Sequence, residues 1–410
     1  MLKIKGFLAI QVVLVMAIVT LLAASAAAAT VSTPRKTSKS KSVVENSKTQ
    51  KKISSKRRHR RASAYVWVNG HRLKRNRYAE HYTSSSFVSE DQTTADITAG
   101  EDPVVRAAAI DALGNHNGTV VAIDPNSGRV LTMVNQKMAL SEGGEPCSTI
   151  KVAVALAALS EDVVTRETKI QLGRRTRMDL TQALAHSNNA YFEALGRKLG
   201  FEKVSYYAHQ FGLGELAGWN IEGEHLGVFP SQELASHAGG VAKMCSFGES
   251  ISMTPLQLGA LVAAMANGGT LFYLQHPTRP EEVAGFLPKV KRQLDIAPLV
   301  PSMADGMAGA VEYGTARSVR YSFSEEPVLG KTGTCSHDGT RFGWFASYAK
   351  TNSGRIVVVV FLRGGRPTFG PKAAEIAGRM YRNLYDHNFF ASATSTHASS
   401  TPGMQTSAAQ

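Results

Sequence analysis

Glu145-Pro146-Cys147-Ser148-Thr149-Ile150-Lys151 runs directly into Val152-Ala153-Val154-Ala155-Leu156-Ala157-Ala158-Leu159. A segment apolar on every side is a buried helix, so Thr149 to Leu159 reads as one, with Ser148 at its start. Lys151 follows Ser148 by three residues, which puts both side chains on one helical face. In a desolvated pocket a lysine loses its proton near neutral pH. Serine is a weak nucleophile without such a base. A Ser-x-x-Lys also arises by chance in most chains of this size, so the surrounding sequence must decide whether the pair is chemical.

Outward from this helix the pattern is strands, then helices, then strands again. Gly118 to Asp124 and Arg129 to Val134 are β-prone runs joined by Pro125-Asn126-Ser127-Gly128, a hairpin with a glycine in its turn. Leu180 to Leu199 is helical with an interruption near His186 to Asn189. Thr254 to Ala266 is a helix that Thr254 can cap and Pro255 can open, closed by Asn267-Gly268-Gly269. Pro327 to Thr334, Phe342 to Ala349 and Arg355 to Leu362 read as strands, and Pro371 to Tyr385 as a closing helix. This is an α+β plan: one antiparallel sheet drawn from both ends of the domain, with a helical insert between. The ordered part is expected to begin near Pro103.

Two further clusters can carry chemistry. Ser187-Asn188-Asn189 sits in the helix interruption, where a hydroxyl and an amide two residues apart can face one cleft: Ser187 to relay a proton, Asn189 to hold a substrate amide. Serine and asparagine also favour caps and turns for structural reasons. Lys331-Thr332-Gly333-Thr334 closes a strand-like run. Gly333 permits close backbone approach, Lys331 and the threonine hydroxyls can meet a carboxylate, and the N–H groups of Thr334 and Ser148 can form an oxyanion hole. An edge strand carrying a lysine is the plainer account of that motif.

In the order Ser-x-x-Lys, Ser-x-Asn, Lys-Thr-Gly, the three motifs are far more specific than any one of them, and the chain resembles the penicillin-binding proteins and serine β-lactamases. The likeness covers about residues 103 to 388. Asp124-Pro125-Asn126-Ser127-Gly128-Arg129-Val130-Leu131 resembles the first hairpin of the transpeptidase domain, and Ala183 to Phe192 its second-motif helix. Ser252-Met253-Thr254-Pro255-Leu256-Gln257-Leu258, Ala266 to Thr270 and Gly314-Thr315-Ala316 extend the match. The hairpin and the Thr-Pro-Leu-Gln segment are most like class B penicillin-binding proteins. The resemblance implies a β-lactamase/transpeptidase-like fold and a peptidoglycan D,D-transpeptidase of cell wall synthesis. Ser148 would attack a D-Ala-D-Ala stem peptide, Lys151 take the proton and Ser187 help protonate the leaving D-Ala. The acyl-enzyme would pass to an amine or to water, and β-lactam antibiotics would acylate the same serine.

The chain departs from the family at two cysteines. Cys147 stands where a glycine is usual, and Cys335 directly follows Thr334. Some class A β-lactamases link two similar places, and that likeness implies a Cys147–Cys335 disulfide with Cys245 left as a free thiol; two small buried residues that merely pack are the alternative. The same likeness raises a β-lactamase as rival reading. Its nearest water-activating acid is Glu233, which lacks the companion asparagine. A D,D-carboxypeptidase differs only in the acceptor. A β-lactam sensor or a wall-binding scaffold fits less well. No metal, nucleotide or flavin motif occurs and no cofactor is expected; His186 and His337, beside the motifs, can affect pH dependence or be bystanders.

The termini carry the remaining signals. Lys3 and Lys5 precede an apolar run from Phe7 to Leu22 and then Ala23-Ala24-Ser25-Ala26, so residues 1–29 read as a signal peptide or membrane anchor. Sixteen lysines and arginines lie between Arg35 and Arg77 against the single acid Glu45, which accounts for the formal net charge of +14 of the 410-residue chain. Residues 30–102 read as a basic disordered arm, able to contact an anionic polymer or lipid, and residues 389–410 as a disordered tail. An exported protein of the periplasm or cell envelope, held at the inner membrane where its N-terminal segment is retained, follows as the expectation.

Overall fold

The computed structural model describes residues 65–68, 71–74, 81–351 and 354–390. Residues 65–68, 71–74 and 81–102 of the basic arm are therefore described; the N-terminal signal, the rest of the arm and the C-terminal tail beyond residue 390, as read above, lie outside them. Residues 1–77 and 78–410 form two separate units. Within the first, Tyr65–Val68 pairs with His71–Lys74 as a short antiparallel hairpin, so the apolar patch in the arm is a strand.

The second unit is built on a five-stranded antiparallel sheet. We number its strands β1 (Gly118–Ile123), β2 (Val130–Val134), β3 (Val328–His337), β4 (Thr340–Thr351) and β5 (Gly354–Gly364); the spatial order is β2-β1-β5-β4-β3. The Pro-Asn-Ser-Gly turn closes the first hairpin. Gly128 supplies a φ of 74°, and the Asp124 carboxylate accepts from the Asn126 N–H at 2.9 Å and the Ser127 hydroxyl at 2.5 Å. β5, the middle strand, is a near-continuous β-branched run covered on both faces. Val357, Val359 and Phe361 belong to one core, and Ile356, Val358, Val360 and Leu362 to the other, as the two-residue period of a strand requires.

Helices fill both faces. On one side lies α6 (Pro255–Asn267), with a complete capping box between Thr254 and Gln257 and almost every residue buried. On the other lie α1 (Pro103–Leu113) and α8 (Gly370–Asp386), packed against the second core. The insert contributes α2 (Lys151–Ser160), α3 (Leu180–Ala185), α4 (Asn189–Gln210), α5 (Gly240–Phe247) and α7 (Val300–Glu312). The expected α+β architecture is the one observed. α2 is preceded by a 3-10 turn, Cys147–Ile150, that carries Ser148.

The packed unit starts earlier than Pro103, which corrects the boundary expected of the arm. Residues 81–102 lie against the sheet: the Thr83 N–H donates to Gly339 O and the Val88 N–H to Asn115 O, both at 3.0 Å. Glu101, 1% exposed in its side chain, pairs with Arg106 at 2.8 Å and His276 at 3.0 Å. It also accepts from Thr132 Oγ1 at 2.6 Å and the Met133 N–H at 2.9 Å. A carboxylate taken out of water needs this much compensation, and it staples the segment to β2 and α1.

Candidate active site

Three elements converge on one point. The 3-10 turn presents Ser148, the break between α3 and α4 presents Ser187 and Asn189, and edge strand β3 presents Lys331 to Thr334. Sequence alone separates these motifs by up to about 180 residues; the sheet order, with β3 at the edge facing the helical insert, brings them together.

Lys151 is at the centre and is fully buried. Its Nζ lies 2.9 Å from Ser148 Oγ, 2.8 Å from Ser187 O, 2.6 Å from Asn189 Oδ1 and 3.2 Å from Ser187 Oγ. The carbonyl and amide oxygens can only accept, so they engage two N–H groups. In the neutral amine, that leaves the lone pair free to receive the Ser148 proton. Burial favours this state and pushes the Lys151 ammonium down to about 7, Glu193 opposing weakly.

Ser187 occupies a left-handed backbone position, φ 54°, between the last turn of α3 and Asn188, whose side chain caps α4 by accepting from the Tyr191 N–H at 3.0 Å. The cost of that conformation is consistent with a hydroxyl held between two lysines: Lys331 Nζ donates to Ser187 Oγ at 2.8 Å and to Thr332 O at 3.0 Å. Lys331 is entirely buried, and desolvation together with Lys151 holds it well below its ordinary value. It therefore orients Ser187 through one of its donors. Asn189 turns its oxygen to Lys151, which leaves its N–H groups for another partner.

The threonines of β3 are held from two sides. Thr332 Oγ1 is 2.6 Å from Thr315 Oγ1, and Thr334 Oγ1 accepts from the Gly370 N–H at 2.8 Å. Gly333 touches the nucleophile's turn. A Cβ there would sit 2.8 Å from Pro146 O, 3.2 Å from Thr149 Cγ2 and 3.2 Å from Trp344 Cβ. Gly333→Ala is therefore expected to cost about 1–3 kcal/mol of stability and to slow acylation of Ser148. Thermal melts and labelling rates of the variant check this; unchanged values in both would refute the contact.

Cys147 and Cys335 are joined by a disulfide, Cα–Cα 5.5 Å, across 188 residues of sequence. Cys245 is free and buried, its thiol pushed up to about 12 by desolvation. Trp344 adds a second tie across the same place, donating from Nε1 to Glu145 O at 2.9 Å while stacking on Phe361 at 3.8 Å.

Beyond the bridge opens a cavity of about 890 Å³ whose walls include Glu142, Glu145, His225, Glu249, His337 and Phe342. Burial and the neighbouring Glu249 raise the Glu145 carboxyl to about 7. Glu233 is elsewhere: exposed, it accepts from the Val241 N–H at the start of α5 at 3.2 Å. His186 packs on Tyr313 with ring centroids 5.7 Å apart. Thr315, Gly370 and Trp344 support the site without having been singled out as site residues from sequence. Only Thr315 left a trace, in Gly314-Thr315-Ala316.

The chain belongs to the family described as penicillin binding protein transpeptidase domain, which matches residues 118–385. It is similar to Stage V sporulation protein D of Bacillus subtilis (strain 168), 26% identical over 317 residues, 64% of this chain and 48% of that protein. It is also similar to peptidoglycan D,D-transpeptidase MrdA of Acinetobacter baumannii, 23% identical over 358 residues, 69% and 52% of the two chains. The chain thus spans about half the length of these curated relatives. Among solved structures, Pseudomonas aeruginosa PBP2 in complex with WCK 5153 superposes with a TM-score of 0.59 at 24% identity, covering 70% of this chain and 74% of that one. A peptidoglycan glycosyltransferase from Burkholderia ambifaria gives 0.59 at 18%, covering 71% and 98%. These likenesses show the shared fold. Among the described residues no helix is long and apolar enough to cross a membrane.

Proposed function

We propose that the chain is a peptidoglycan D,D-transpeptidase that cross-links stem peptides through an acyl-enzyme on Ser148, and that β-lactams acylate the same residue. The observation that carries the reading is the Lys151 amine, 2.9 Å from Ser148 Oγ with its N–H groups taken up by Ser187 O and Asn189 Oδ1. Lys151 accepts the hydroxyl proton as Ser148 Oγ attacks the carbonyl of the penultimate D-Ala. The developing oxyanion meets the N–H groups of Ser148 and Thr334; the first turn of a helix leaves its N–H groups without intrahelical acceptors. Collapse of the tetrahedral adduct breaks the amide bond. Ser187, linked to both lysines, passes a proton to the departing D-Ala amine. An acceptor amine then attacks the ester, giving the cross-link and returning the proton to the serine.

The threonine hydroxyls of β3 would hold the terminal carboxylate, Asn189 the substrate amide, and the adjoining cavity the stem peptide beyond it. Relatives named for peptidoglycan D,D-transpeptidation support the reaction class. Glu233, at work on α5, supplies no water-activating base, which weighs against the β-lactamase reading. The apolar N-terminal run supports export to the cell envelope with a membrane tether, and the basic arm supports contact with an anionic polymer or lipid.

The test is to incubate the full chain with a fluorescent penicillin and follow the labelled peptide by mass spectrometry over hours. A stable adduct on Ser148, absent from Ser148→Ala, is expected. Rapid loss of the adduct with drug turnover would assign the chain to the β-lactamases, and the absence of any adduct would remove the acyl-enzyme altogether. Release of free D-Ala from a pentapeptide, without cross-linking when an amine acceptor is present, would make it a carboxypeptidase.

A further inference from the structure

Away from the catalytic residues a second concavity, of about 390 Å³, opens beside Trp219, Tyr273, Asn220 and Lys291. Trp219 is 43% exposed, a large indole left open where burial would be favourable. Tyr273 meets it edge-on at 5.3 Å. The Lys289 ammonium lies 4.5 Å from its ring centre and makes no ion pair among the described residues. Two sides of the indole are held and the rest faces solvent. The Asn220 side chain, also exposed, makes no hydrogen bond among the described residues.

The shelf is rigid. The backbone N–H of Trp219 donates to Leu274 O at 2.7 Å. Glu224 accepts from the Ala217 N–H at 2.8 Å and the Gly218 N–H at 2.9 Å. Lys291 is fixed to Leu216 O at 2.7 Å and to Glu215 at 2.8 Å. Preorganisation of this kind lowers the entropic cost of binding. A fixed aromatic face beside unspent amide and ammonium donors matches an amino-sugar ring. The C–H face of the sugar lies on the aromatic, and its acetamido and hydroxyl groups meet the polar rim. A volume of this order takes a small molecule or a short oligomer.

Connectivity ties the shelf to the larger cavity lined by Glu145. Gly218 to Ile221 line the shelf, and His225, Leu226 and Val228 line the larger cavity, whose wall includes Glu145, three residues before Ser148. The four residue steps from Ile221 to His225 span at most about 14 Å, roughly the reach of an extended tetrapeptide. We infer that Trp219, Tyr273, Asn220 and Lys289 form a glycan subsite that holds an N-acetylhexosamine strand while the stem peptide attached to it extends toward Ser148. The inference rests on the peptidoglycan reading above and adds the sugar backbone to what the chain recognises.

The test titrates the full chain, carrying Ser148→Ala, with a chito-oligosaccharide of N-acetylglucosamine units, a probe without peptide or carboxylate, by calorimetry. Saturable binding is expected, weakened about tenfold or more by Trp219→Ala, less by Asn220→Ala, and largely kept by Trp219→Phe. On the Ser148-intact background, Trp219→Ala is expected to keep the wild-type rate of penicillin labelling, which shows that it folds. No binding by the parent chain, or equal binding by Trp219→Ala, overturns the subsite and leaves the acyl-enzyme untouched. Failure of penicillin labelling with sugar binding retained would remove the acyl-enzyme and keep the subsite.

Discussion

Lys151→Ala is expected to slow acylation of Ser148 by about 10²–10⁴-fold, the range a positioned general base supplies. The upper part of the range is favoured because Lys331, the other buried amine, is committed to Ser187 Oγ and Thr332 O and does not replace Lys151 at Ser148. The pH profile carries the sharper form of the prediction. The reactive species is neutral Lys151, and desolvation places its titration at about 7. Acylation by the parent chain should therefore rise as pH increases through about 7 and then level. Stability has a matching sign. Between about 7 and the ordinary lysine range near 10.5 the unfolded chain binds a proton that the fold excludes. Stability should thus increase with pH across that window. Lys331 acts in the same direction, so Lys151→Ala removes only part of the slope. Penicillin-labelling rates and denaturant midpoints across pH check both statements; a rate indifferent to pH around 7 would eliminate Lys151 as the base.

The elements with strong local signals were legible in sequence: the Asp124 to Arg129 turn, the Thr254-Pro255 cap, and the valine-rich run of β5. The three motifs were legible as a set because each needs particular side chains at short spacing. What they do to one another was not. That Lys331 donates to Ser187 Oγ had no sign in the sequence, and only the register of β3 against the α3–α4 break decides it. Gly370, which donates to Thr334, left no local mark, since its role lies in the approach of α8 to β3. Residues 81–102 read as an extension of the polar arm because their composition is polar. The contacts that hold them include those of Glu101, whose partners Arg106, Thr132, Met133 and His276 lie up to about 175 residues away, and a buried charge network of that kind has no periodicity to betray it.

Breaking the Cys147–Cys335 bond is the other large effect. The bond closes 188 residues, and the chain-entropy relation gives about 5 kcal/mol for a loop of that length, with native disulfides commonly worth about 2–5 kcal/mol. The reduced protein is expected to melt at a clearly lower temperature. Its effect on chemistry should be smaller, because Trp344 still ties Glu145 O to β4 at 2.9 Å and Pro146 still lies on Gly333. The turn bearing Ser148 would be loosened rather than lost. Since a shift of about 1 Å at a reacting group can cost 10²-fold, acylation should fall by about 10–10²-fold. The paired variant Cys147→Ser with Cys335→Ser should match the reduced parent in both measurements. Cys245 gives an internal control: buried, with its thiol pushed up to about 12, it should resist alkylation under native conditions while the two released thiols react. If mass analysis shows those two thiols modified and the melting temperature and labelling rate still equal those of the oxidised protein, the bond contributes nothing to the site. If stability alone drops, the bond braces the fold while Trp344 and Gly333 suffice to place Ser148. A fall in both would mean that the cysteine at the usual glycine position, covalently tied to the strand behind it, takes over part of the positioning that close packing at Gly333 alone does not complete.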